Sequence, residues 1–344
     1  MIPNETSIPI LDACKHRFGV PLELDGRRLD LVLARLTGET RSQIKILVDE
    51  RRVWVEGTVA KAGRLVKRGE MLEVLPLPPT PSTVEPQSIP LDILFEDEHL
   101  AAINKPPGMV VHPAPGQWDG TVVNALLFRW GVAERSTTLR PGIVHRLDKD
   151  TSGVLLIAKD LWTLEQLSCA FKERRVHKTY LAVVVGHLRA SSGTIELPIG
   201  RHPVNRKKMA VRRHGGREAV SRYQLIAETT GLSLLRLFPK TGRTHQLRVH
   251  LAAIGHPIVG DHLYGGDLGN VRNVSPIART FARQALHAEQ IEFLHPMSGA
   301  PLCLCAPYPQ DFLCLLEIFY KEAPTKKIES FLLTGKKGST IIRT

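Results

Sequence analysis

Prolines are concentrated in one short stretch of the chain. Six of the sixteen residues 75–90 are proline, and each proline fixes φ and removes a backbone amide donor. Such a stretch does not run through the interior of a helix or a sheet, and it is typical of an extended, semi-rigid linker. The sequence therefore predicts a small module over residues 15–75, a linker over 76–90 and a large module over 91–320. Residues 321–344 are polar and basic, which predicts a flexible tail.

The chain carries more positive than negative charge. Its 344 residues include 46 Lys and Arg against 34 Asp and Glu, a formal net charge of +12. This excess favours a polyanionic partner, with nucleic acid as the leading candidate and an anionic membrane as the weaker one. No apolar run approaches the roughly 18 residues that a membrane span needs, so the sequence predicts that the protein does not cross a bilayer.

The N-terminal residues and the cysteines indicate the cellular compartment. Residues 1–6 are not a basic segment followed by an apolar one, so no secretion signal is predicted. Five cysteines without a Cys-x-x-Cys pair favour a reduced cytoplasm. Cys303 and Cys305 would share one face of a strand and could bind a metal with nearby histidines, but zinc pairs usually have wider spacing.

The small module shows helical and then alternating patterns. Apolar residues recur at helical spacing over residues 28–36 and 42–49, which predicts two short helices. Residues 53–57 and 71–74 alternate between apolar and polar side chains beside turn glycines, which predicts strands. We therefore expect a helix pair on a small sheet.

This small module resembles the S4 RNA-binding domain. The resemblance lies in residues 40–44, 53–57 and 69–74, although the usual Gly-Arg-Val of that family is Arg-Arg-Val at 51–53 here. It implies binding to RNA shape and phosphates rather than to base edges. A solvated basic face is the alternative interpretation. The cations near the helix pair are Arg27, Arg28, Arg41, Lys45, Arg51 and Arg52.

The large module mixes alternating apolar segments with helical ones, which is typical of an α+β domain. Strands are predicted at residues 101–104, 153–158, 179–185, 221–227 and 233–238, and helices at 161–174 and 244–254. The densest polar segment, residues 145–153, leads directly into one of these strands. A polar loop on a rigid, buried strand is a typical position for a functional site.

The carboxylates of that polar loop are open to several interpretations. Asp148 and Asp150 could be turn formers or a helix cap. Their spacing also allows them to be metal ligands of a nuclease, but no third carboxylate is nearby. Taken without a family, the loop therefore leaves these alternatives open.

Two further segments carry polar residues at the ends of predicted elements. One opens a helix after a glycine turn, where Thr244 suits the N-cap, and Arg243 and His245 beside free amides would bind an anion. Arg248 follows one turn later, where a surface arginine is the alternative. Tyr180 begins an apolar strand, and its usual explanation is packing with a hydrated hydroxyl.

Residues 201–217 contain seven Lys or Arg and no acidic residue. We predict a loop that clamps RNA through phosphates, with a strong dependence on salt. A solvated hairpin tip is the alternative. The cations assigned to this grip are Arg206, Lys207, Lys208, Arg212 and Arg213.

Several polar segments together resemble the pseudouridine synthases of the RluA family. Residues 146–148 with 151–153 resemble its catalytic motif, residues 178–180 its tyrosine motif and residues 241–248 its third motif. Residues 104–108 are also similar to an early strand-turn signature of that family. The order of the motifs and their wide spacing fit as well.

The resemblance implies an α+β fold in which the S4-like domain precedes a mixed, mostly antiparallel sheet. It implies an RNA isomerase without cofactor or metal, in which Asp148 is the essential carboxylate and Arg248 pairs with it. Tyr180 would stack on the target base, and Arg146 would fill the space of a base flipped out of its stack. Leu286 would lie beneath the base, although an ordinary core leucine is the alternative.

The predicted substrate is large-subunit (23S) ribosomal RNA, either free or in an assembling ribosomal subunit. Transfer RNA is the alternative substrate, and a non-catalytic RNA-binding assembly factor is the alternative function. A pure binding protein gains nothing from a carboxylate among phosphate contacts, because like charges cost affinity. The predicted location is the cytoplasm, with no membrane contact and no evident protein partner.

Overall fold

The computed structural model divides the chain into two compact units, residues 1–82 and 83–344. The predictions made for residues 1–14, for the central part of the linker and for most of the tail lie outside the described residues. The structure describes residues 15–39, 41–61, 63–76, 84–114, 116–130, 142–269, 271, 273–322 and 339–342.

The N-terminal unit is a helix pair with a four-stranded antiparallel sheet in the order β1-β4-β2-β3. A short 3₁₀ turn, Leu22–Leu24, follows the first strand. Its helices and strands are β1 (His16–Gly19), α1 (Leu29–Thr37), α2 (Arg41–Asp49), β2 (Val53–Val55), β3 (Thr58–Val59) and β4 (Met71–Val74).

The helices of this unit form because their apolar residues lie on one face. Leu29 and Leu33 of α1 and Ile44 of α2 are fully buried against the sheet residues Val53 and Leu72. The helix α1 ends at a glycine in the left-handed conformation, which is a common helix C-terminus. Both helices begin and end within one residue of the predicted bounds.

The C-terminal unit contains one large sheet and a two-stranded hairpin. Its strands are β5 (Ile93–Glu96), β6 (Leu100–Lys105), β7 (Ser152–Ala158), β8 (His177–Val185), β9 (Ser192–Glu196), β10 (Ile199–Arg201), β11 (Met209–Val211), β12 (Val220–Thr229), β13 (Leu232–Pro239), β14 (Leu286–Leu294), β15 (Pro301–Cys305) and β16 (Ser339–Ile342). Its helices are α3 (Val122–Trp130), α4 (Leu161–Lys172), α5 (Gln246–Ala253), α6 (Pro276–Arg279) and α7 (Gln310–Glu322).

The large sheet has the order β5-β6-β7-β14-β8-β13-β12-β9, with β15 and β16 extending from β14. Its described pairs are antiparallel except for β7 with β14, which is parallel. Buried apolar residues cover both faces of the sheet. The prediction of an α+β fold with a mixed, mostly antiparallel sheet is confirmed.

Gly153 allows the parallel pair to form directly after the polar loop. Its φ is +114°, and a Cβ at this position would lie 2.1 Å from the carbonyl oxygen of Ala288 in β14. Only glycine allows two backbones to approach so closely. The polar loop is thereby held beside the first residues of β14.

The C-terminal segment differs in part from the sequence prediction. Ser339–Ile342, within the predicted flexible tail, is a strand that pairs with β15 in antiparallel register. Its four residues provide backbone hydrogen-bonding groups to an edge of the sheet, an interaction that composition does not reveal. For these four residues the prediction of a flexible tail is wrong.

Candidate active site

A pocket of about 570 Å³ brings the three sequence motifs together. Segments from the loop before β7, from the start of β8 and from the turn before α5 line it. Among its described lining residues, Asp148 is the only carboxylate, whereas seven carry a positive charge. These cations are Arg146, Lys172, Arg174, Lys178, Lys240, Arg243 and Arg248.

The loop before β7 directs alternate side chains into different surroundings. Leu147 is buried, whereas Arg146 is exposed and Asp148 is partly buried, and all three line the pocket. The amide of Thr151 donates to the carbonyl of Asp148 at 3.1 Å, which closes a tight turn. This turn fixes the direction of the Asp148 side chain relative to the strand that follows.

Arg248 connects Asp148 to a second carboxylate. Its Nη1 donates to Asp148 Oδ2 at 3.0 Å, while Nε and Nη2 donate to the two oxygens of Asp261 at 2.7 and 2.9 Å. Burial opposes the charge of Arg248, but its bonds and charge interactions with Asp261 and Asp148 raise its pKa above the usual value. The guanidinium is therefore a permanent cation in a fixed orientation.

Asp261 was not predicted as a partner of Arg248. Its side chain is buried, and it also accepts the amide of Leu263 at 3.2 Å. It lies in the segment after the third motif, thirteen residues from Arg248. The available signal was an arginine expected to pair with Asp148, because its five donors need more than one anionic oxygen.

Two cations hold the backbone of the Asp148 loop. The fully buried Lys105 donates from Nζ to the carbonyls of Pro106, Met109 and Lys149 at 2.8 to 2.9 Å. Burial lowers its pKa to about 7, although the charge of Asp150 opposes this shift. Sequence reasoning assigned Lys105 to a family signature but gave it no role.

Arg283 is the second of these cations. It donates from Nη1 to the carbonyl of Asp150 at 3.0 Å and is itself held by Asp311 at 2.6 and 2.9 Å. Like Lys105, it bonds carbonyl oxygens of the loop rather than carboxylates of the loop. Both side chains therefore position the loop and leave Asp148 available in the pocket.

Tyr180 lies in β8 and points into the same pocket. Most of its side chain is buried, and the residue lines the pocket. Burial raises the pKa of its phenol above the usual value, and the charge of Asp148 adds to this effect. The side chain is consequently a neutral hydroxyl at physiological pH.

The turn before α5 differs from the predicted helix start. The helix begins at Gln246, and the N-cap residue is His245 in the left-handed conformation with φ +55°. The predicted N-cap role of Thr244 is therefore wrong. The buried Gln246 replaces a cap, because its Oε1 accepts the amide of Arg243 at 3.0 Å and the hydroxyl of Thr241 at 2.7 Å.

His245 lies between Asp148 and Tyr264. Its Nε2 is 3.9 Å from Asp148 Oδ2, and its Nδ1 is 2.8 Å from the hydroxyl of Tyr264. That hydroxyl also accepts the amide of Met209 in β11 at 2.8 Å. Burial lowers the pKa of His245, although the charge of Asp148 opposes this change. Within this turn the amide of Arg243 donates to Gln246 Oε1, and the amide of Gln246 donates to the carbonyl of Arg243. These two amides are therefore not free to bind an anion, contrary to the prediction.

The remaining predicted residues of the pocket lie around these groups. Leu286, at the start of β14, is buried and lines the pocket. Arg243 also lines it, and its Nε donates to the carbonyl of Glu218 at 3.0 Å. Of the predicted site residues, the pocket thus includes Arg146, Asp148, Tyr180, Arg243, His245, Arg248 and Leu286.

The other predicted RNA contacts do not line this pocket. Four of them belong to the N-terminal unit, where Arg41 begins α2 and Arg52 donates to Glu50. The others belong to the β10–β11 hairpin and the turn after it, where most of them are exposed. The first group is Arg41, Lys45, Arg51 and Arg52, and the second is Arg206, Lys207, Lys208, Arg212 and Arg213.

The two cysteines that could have shared a metal lie on one strand. Cys303 and Cys305 lie in β15. Within the described ranges, no group of three or more His, Cys, Asp or Glu side chains is arranged to hold a metal ion. No helix among the described residues has the length and apolar character needed to cross a membrane.

Comparisons with known proteins identify the family of the chain. Residues 99–253 match the model of the RNA pseudouridylate synthase family, and residues 27–72 match the S4 domain. Ribosomal large subunit pseudouridine synthase D of Xanthomonas campestris is 44% identical, covering 93% of this chain and 97% of that protein. Its namesake from Escherichia coli K12 is 41% identical over 88% of this chain and 94% of that protein.

A solved structure is similar as well. Human RNA Pseudouridylate Synthase Domain Containing 4 has a TM-score of 0.52 and 30% identity, covering 66% of this chain and 92% of the human chain. The chain belongs to the RNA pseudouridylate synthase family and carries an N-terminal S4 domain. It is an RNA pseudouridine synthase, which is an isomerase.

Proposed function

We propose that this enzyme converts specific uridines of large-subunit ribosomal RNA into pseudouridine, with Asp148 as the essential catalytic group. The names of the relatives that match along most of the chain support this substrate. The S4 domain supports an RNA recognised by its shape and phosphates. The chemistry rests on one observation, the 3.0 Å bond from Arg248 to Asp148 in a pocket otherwise lined by cations.

The reaction sets the demands on the site. The C1′–N1 bond breaks, the uracil turns over, and a C5–C1′ bond forms. The proton on C5 is lost and N1 gains one, so the product is an isomer and no net oxidation takes place. The isomerisation therefore requires no redox cofactor. It requires a carboxylate at the ribose, as nucleophile or as general base.

Asp148 meets this demand because it is a carboxylate surrounded by cations. Arg248 orients it and stabilises its negative charge through one bond, while the other face of the guanidinium is held by Asp261. Removing water from such a pocket strengthens each of these interactions. The carboxylate then acts at C1′ or at a neighbouring ribose proton.

Tyr180 and Leu286 are proposed to hold the base. A uracil within reach of Asp148 would stack on the ring of Tyr180, whose protonated hydroxyl is a hydrogen-bond donor. Leu286, which pairs with Ala182 on the neighbouring strand two residues from Tyr180, supplies an apolar surface beside that ring. This arrangement suits a base that has left its helix.

Arg146 is proposed to compensate for base flipping. It is exposed beside the pocket and is separated from Asp148 only by the buried Leu147. Extruding a base costs a few kcal/mol, and a side chain that fills the gap recovers part of this cost. One residue of the loop would thus occupy the RNA helix while another meets the sugar.

The remaining RNA grip is proposed to come from phosphate contacts. The exposed cations of the hairpin around β10 and β11 and those near α1 and α2 would bind the backbone of the RNA. A large RNA or an assembling ribosomal subunit offers such an extended surface. We accordingly assign the enzyme to the cytoplasm.

Tritium release from RNA labelled at C5 of uridine tests the proposal. Wild type, Asp148→Ala and the matched loop variant Asp150→Asn are compared on large-subunit ribosomal transcript, ribosomal particles and transfer RNA. We expect release from ribosomal RNA by wild type and Asp150→Asn, and none by Asp148→Ala. Release by Asp148→Ala at the wild-type rate would refute its role, and release from transfer RNA alone would refute the substrate.

A further inference from the structure

One lysine of the pocket lies on the same strand face as Tyr180. Lys178 and Tyr180 are two residues apart in β8, so both side chains leave the same face of the strand. Their Cα atoms are separated by roughly 7 Å along the strand. Both line the pocket, with Lys178 nearer the beginning of the strand.

Lys178 differs from Arg248 in having no anionic partner among the residues that the structure describes. In the described part of the chain, its Nζ forms no ion pair or hydrogen bond. The Nζ atom lies 5.7 Å from the centroid of the Phe171 ring. Burial lowers the pKa of Lys178 to about 8. A half-buried cation without a counter-charge is unfavourable in the free protein, and an anion from a ligand would reverse this.

The ammonium group of Lys178 lines the pocket beside a glycine. Gly242, from the turn before α5, faces it, and a Cβ on Gly242 would lie 3.8 Å from Lys178 Nζ. A larger side chain at this position would reach into the space beside the ammonium. With an aromatic ring and a glycine as neighbours, the charged group lines the pocket.

We infer that Lys178 binds a backbone phosphate adjacent to the target uridine. The inference rests on the proposed function, because it takes the target base to stack on Tyr180. In a nucleotide the ribose separates the base from the phosphate. The distance from base to phosphate is similar to the spacing between Tyr180 and Lys178 on β8. A lysine interacts with phosphate as a point charge, so it can bind without fixing the base identity.

The first test is the salt dependence of the reaction on large-subunit ribosomal transcript. Lys178→Met removes the charge and retains the aliphatic stem, Lys178→Arg retains the charge, and Lys321→Met is a matched control on the exposed end of α7. We expect Lys178→Met to lower kcat/KM by roughly 10- to 100-fold. The slope of log(kcat/KM) against log[salt] should fall by about 0.7 to 0.9, one phosphate contact.

Lys178→Arg should retain most of the salt slope, and Lys321→Met all of it. An unchanged slope for Lys178→Met would overturn the inference. A similar loss for Lys321→Met would also overturn it, because the effect would then be one of net charge. Circular dichroism and urea unfolding establish that each variant is folded before its kinetics are compared.

The second test removes the charge from the RNA instead. Short synthetic RNAs around a uridine that wild type converts carry one neutral methylphosphonate at a time. A methylphosphonate at one linkage next to the target should lower the kcat/KM of wild type by roughly 10- to 100-fold. The same substitution should not lower the kcat/KM of Lys178→Met any further. If the losses from the methylphosphonate and from Lys178→Met add at both linkages next to the target, the contact between Lys178 and the phosphate is refuted.

These outcomes are distinguishable from failure of the proposed function. If Asp148→Ala retains activity on the unmodified RNA, the catalytic assignment fails regardless of Lys178. If Asp148→Ala is inactive and the Lys178→Met and methylphosphonate penalties simply add, only the phosphate contact fails.

Discussion

The N-terminal unit and the pocket each contain a group of three charged side chains, with opposite composition. In the first, the carboxylate of Asp30 accepts from Arg28 at 3.0 Å and from Arg41 at 2.8 Å. In the second, Arg248 donates to both Asp148 and Asp261. The two arginines of the first group are 51% and 60% exposed, whereas Arg248 is 9% exposed.

Both groups consist of Arg–Asp ion pairs, but their different exposure suits them to different functions. Water screens the exposed arginines around Asp30, so their pairing contributes little stability and they remain available to phosphates. Arg248 is out of water, so each of its bonds is expensive to lose and its orientation is fixed. The exposed group suits weak, movable contacts with an RNA surface, while the buried group suits a reaction that needs one geometry.

The largest effect is expected from breaking the buried group. Arg248→Gln leaves Asp148 and Asp261 close together without a cation. The free energy of unfolding should fall by about 3 to 5 kcal/mol, and tritium release should disappear. Urea unfolding and the release assay measure both, with Arg248→Lys as the control that retains the charge. An unaltered unfolding midpoint for Arg248→Gln would contradict the energetic role of burial.

An intermediate effect is expected from Tyr264, which contacts His245 beside Asp148. Tyr264→Phe removes the hydroxyl that accepts the amide of Met209 and contacts His245 Nδ1. The variant should lose about 1 to 3 kcal/mol of unfolding free energy, because polar groups are left unsatisfied. Its kcat should also fall, since His245 faces Asp148. The exposed Tyr320→Phe is the control, and equal stability of the two variants would argue against this contact.

A smaller, pH-dependent effect is expected for Asp30. The hydrogen bond from Arg28, opposed by burial and assisted by Arg41, lowers the pKa of Asp30 to about 2. A carboxylate with a lowered pKa stabilises the fold above its unfolded pKa near 4, and this stability is lost as the pH falls toward 2. Asp30→Asn should therefore cost about 1 kcal/mol at pH 6. The difference from wild type should shrink at pH 3 in urea unfolding, and a difference that grows instead would contradict the assignment.

The smallest effect on stability is expected for Arg41→Ala. Loss of one exposed pair should change the free energy of unfolding by less than about 0.5 kcal/mol. The affinity for ribosomal RNA should fall only a few-fold, with a salt slope reduced by about 1. Filter binding at several salt concentrations measures the slope. Retention of the full slope would show that Arg41 is not a phosphate contact.

Much of the local structure was predictable because it depends on neighbouring residues. The helical spacing of Leu29, Leu33 and Ile44 is visible in the chain, and the observed helices end close to the predicted bounds. The alternation of Arg146, Leu147 and Asp148 also follows from an extended backbone. These patterns extend over a few residues, within which sequence and conformation are directly coupled.

The sequence predictions were wrong where contacts with distant residues outweighed a local conformational preference. Thr244 suits an N-cap, but His245 takes that position. The Gln246 side chain, which bonds the turn, is held by its donation to the carbonyl of Val220 and the hydroxyl of Ser221 in β12. Ser339–Ile342 has a polar, basic neighbourhood, yet it pairs with β15. In both cases a partner that the local pattern does not contain decided the structure.

The sequence by itself determined the two modules, the elements of secondary structure around the motifs and the residue types that the chemistry needs. Only the tertiary structure decided that Asp148 meets Arg248 one hundred residues away, and that Asp261 and Lys105 hold the two sides of this contact. The physical reason is that periodicity and turn chemistry act over a few residues. An ion pair in a buried pocket depends on which strands of the sheet become neighbours, and that is a property of the complete fold.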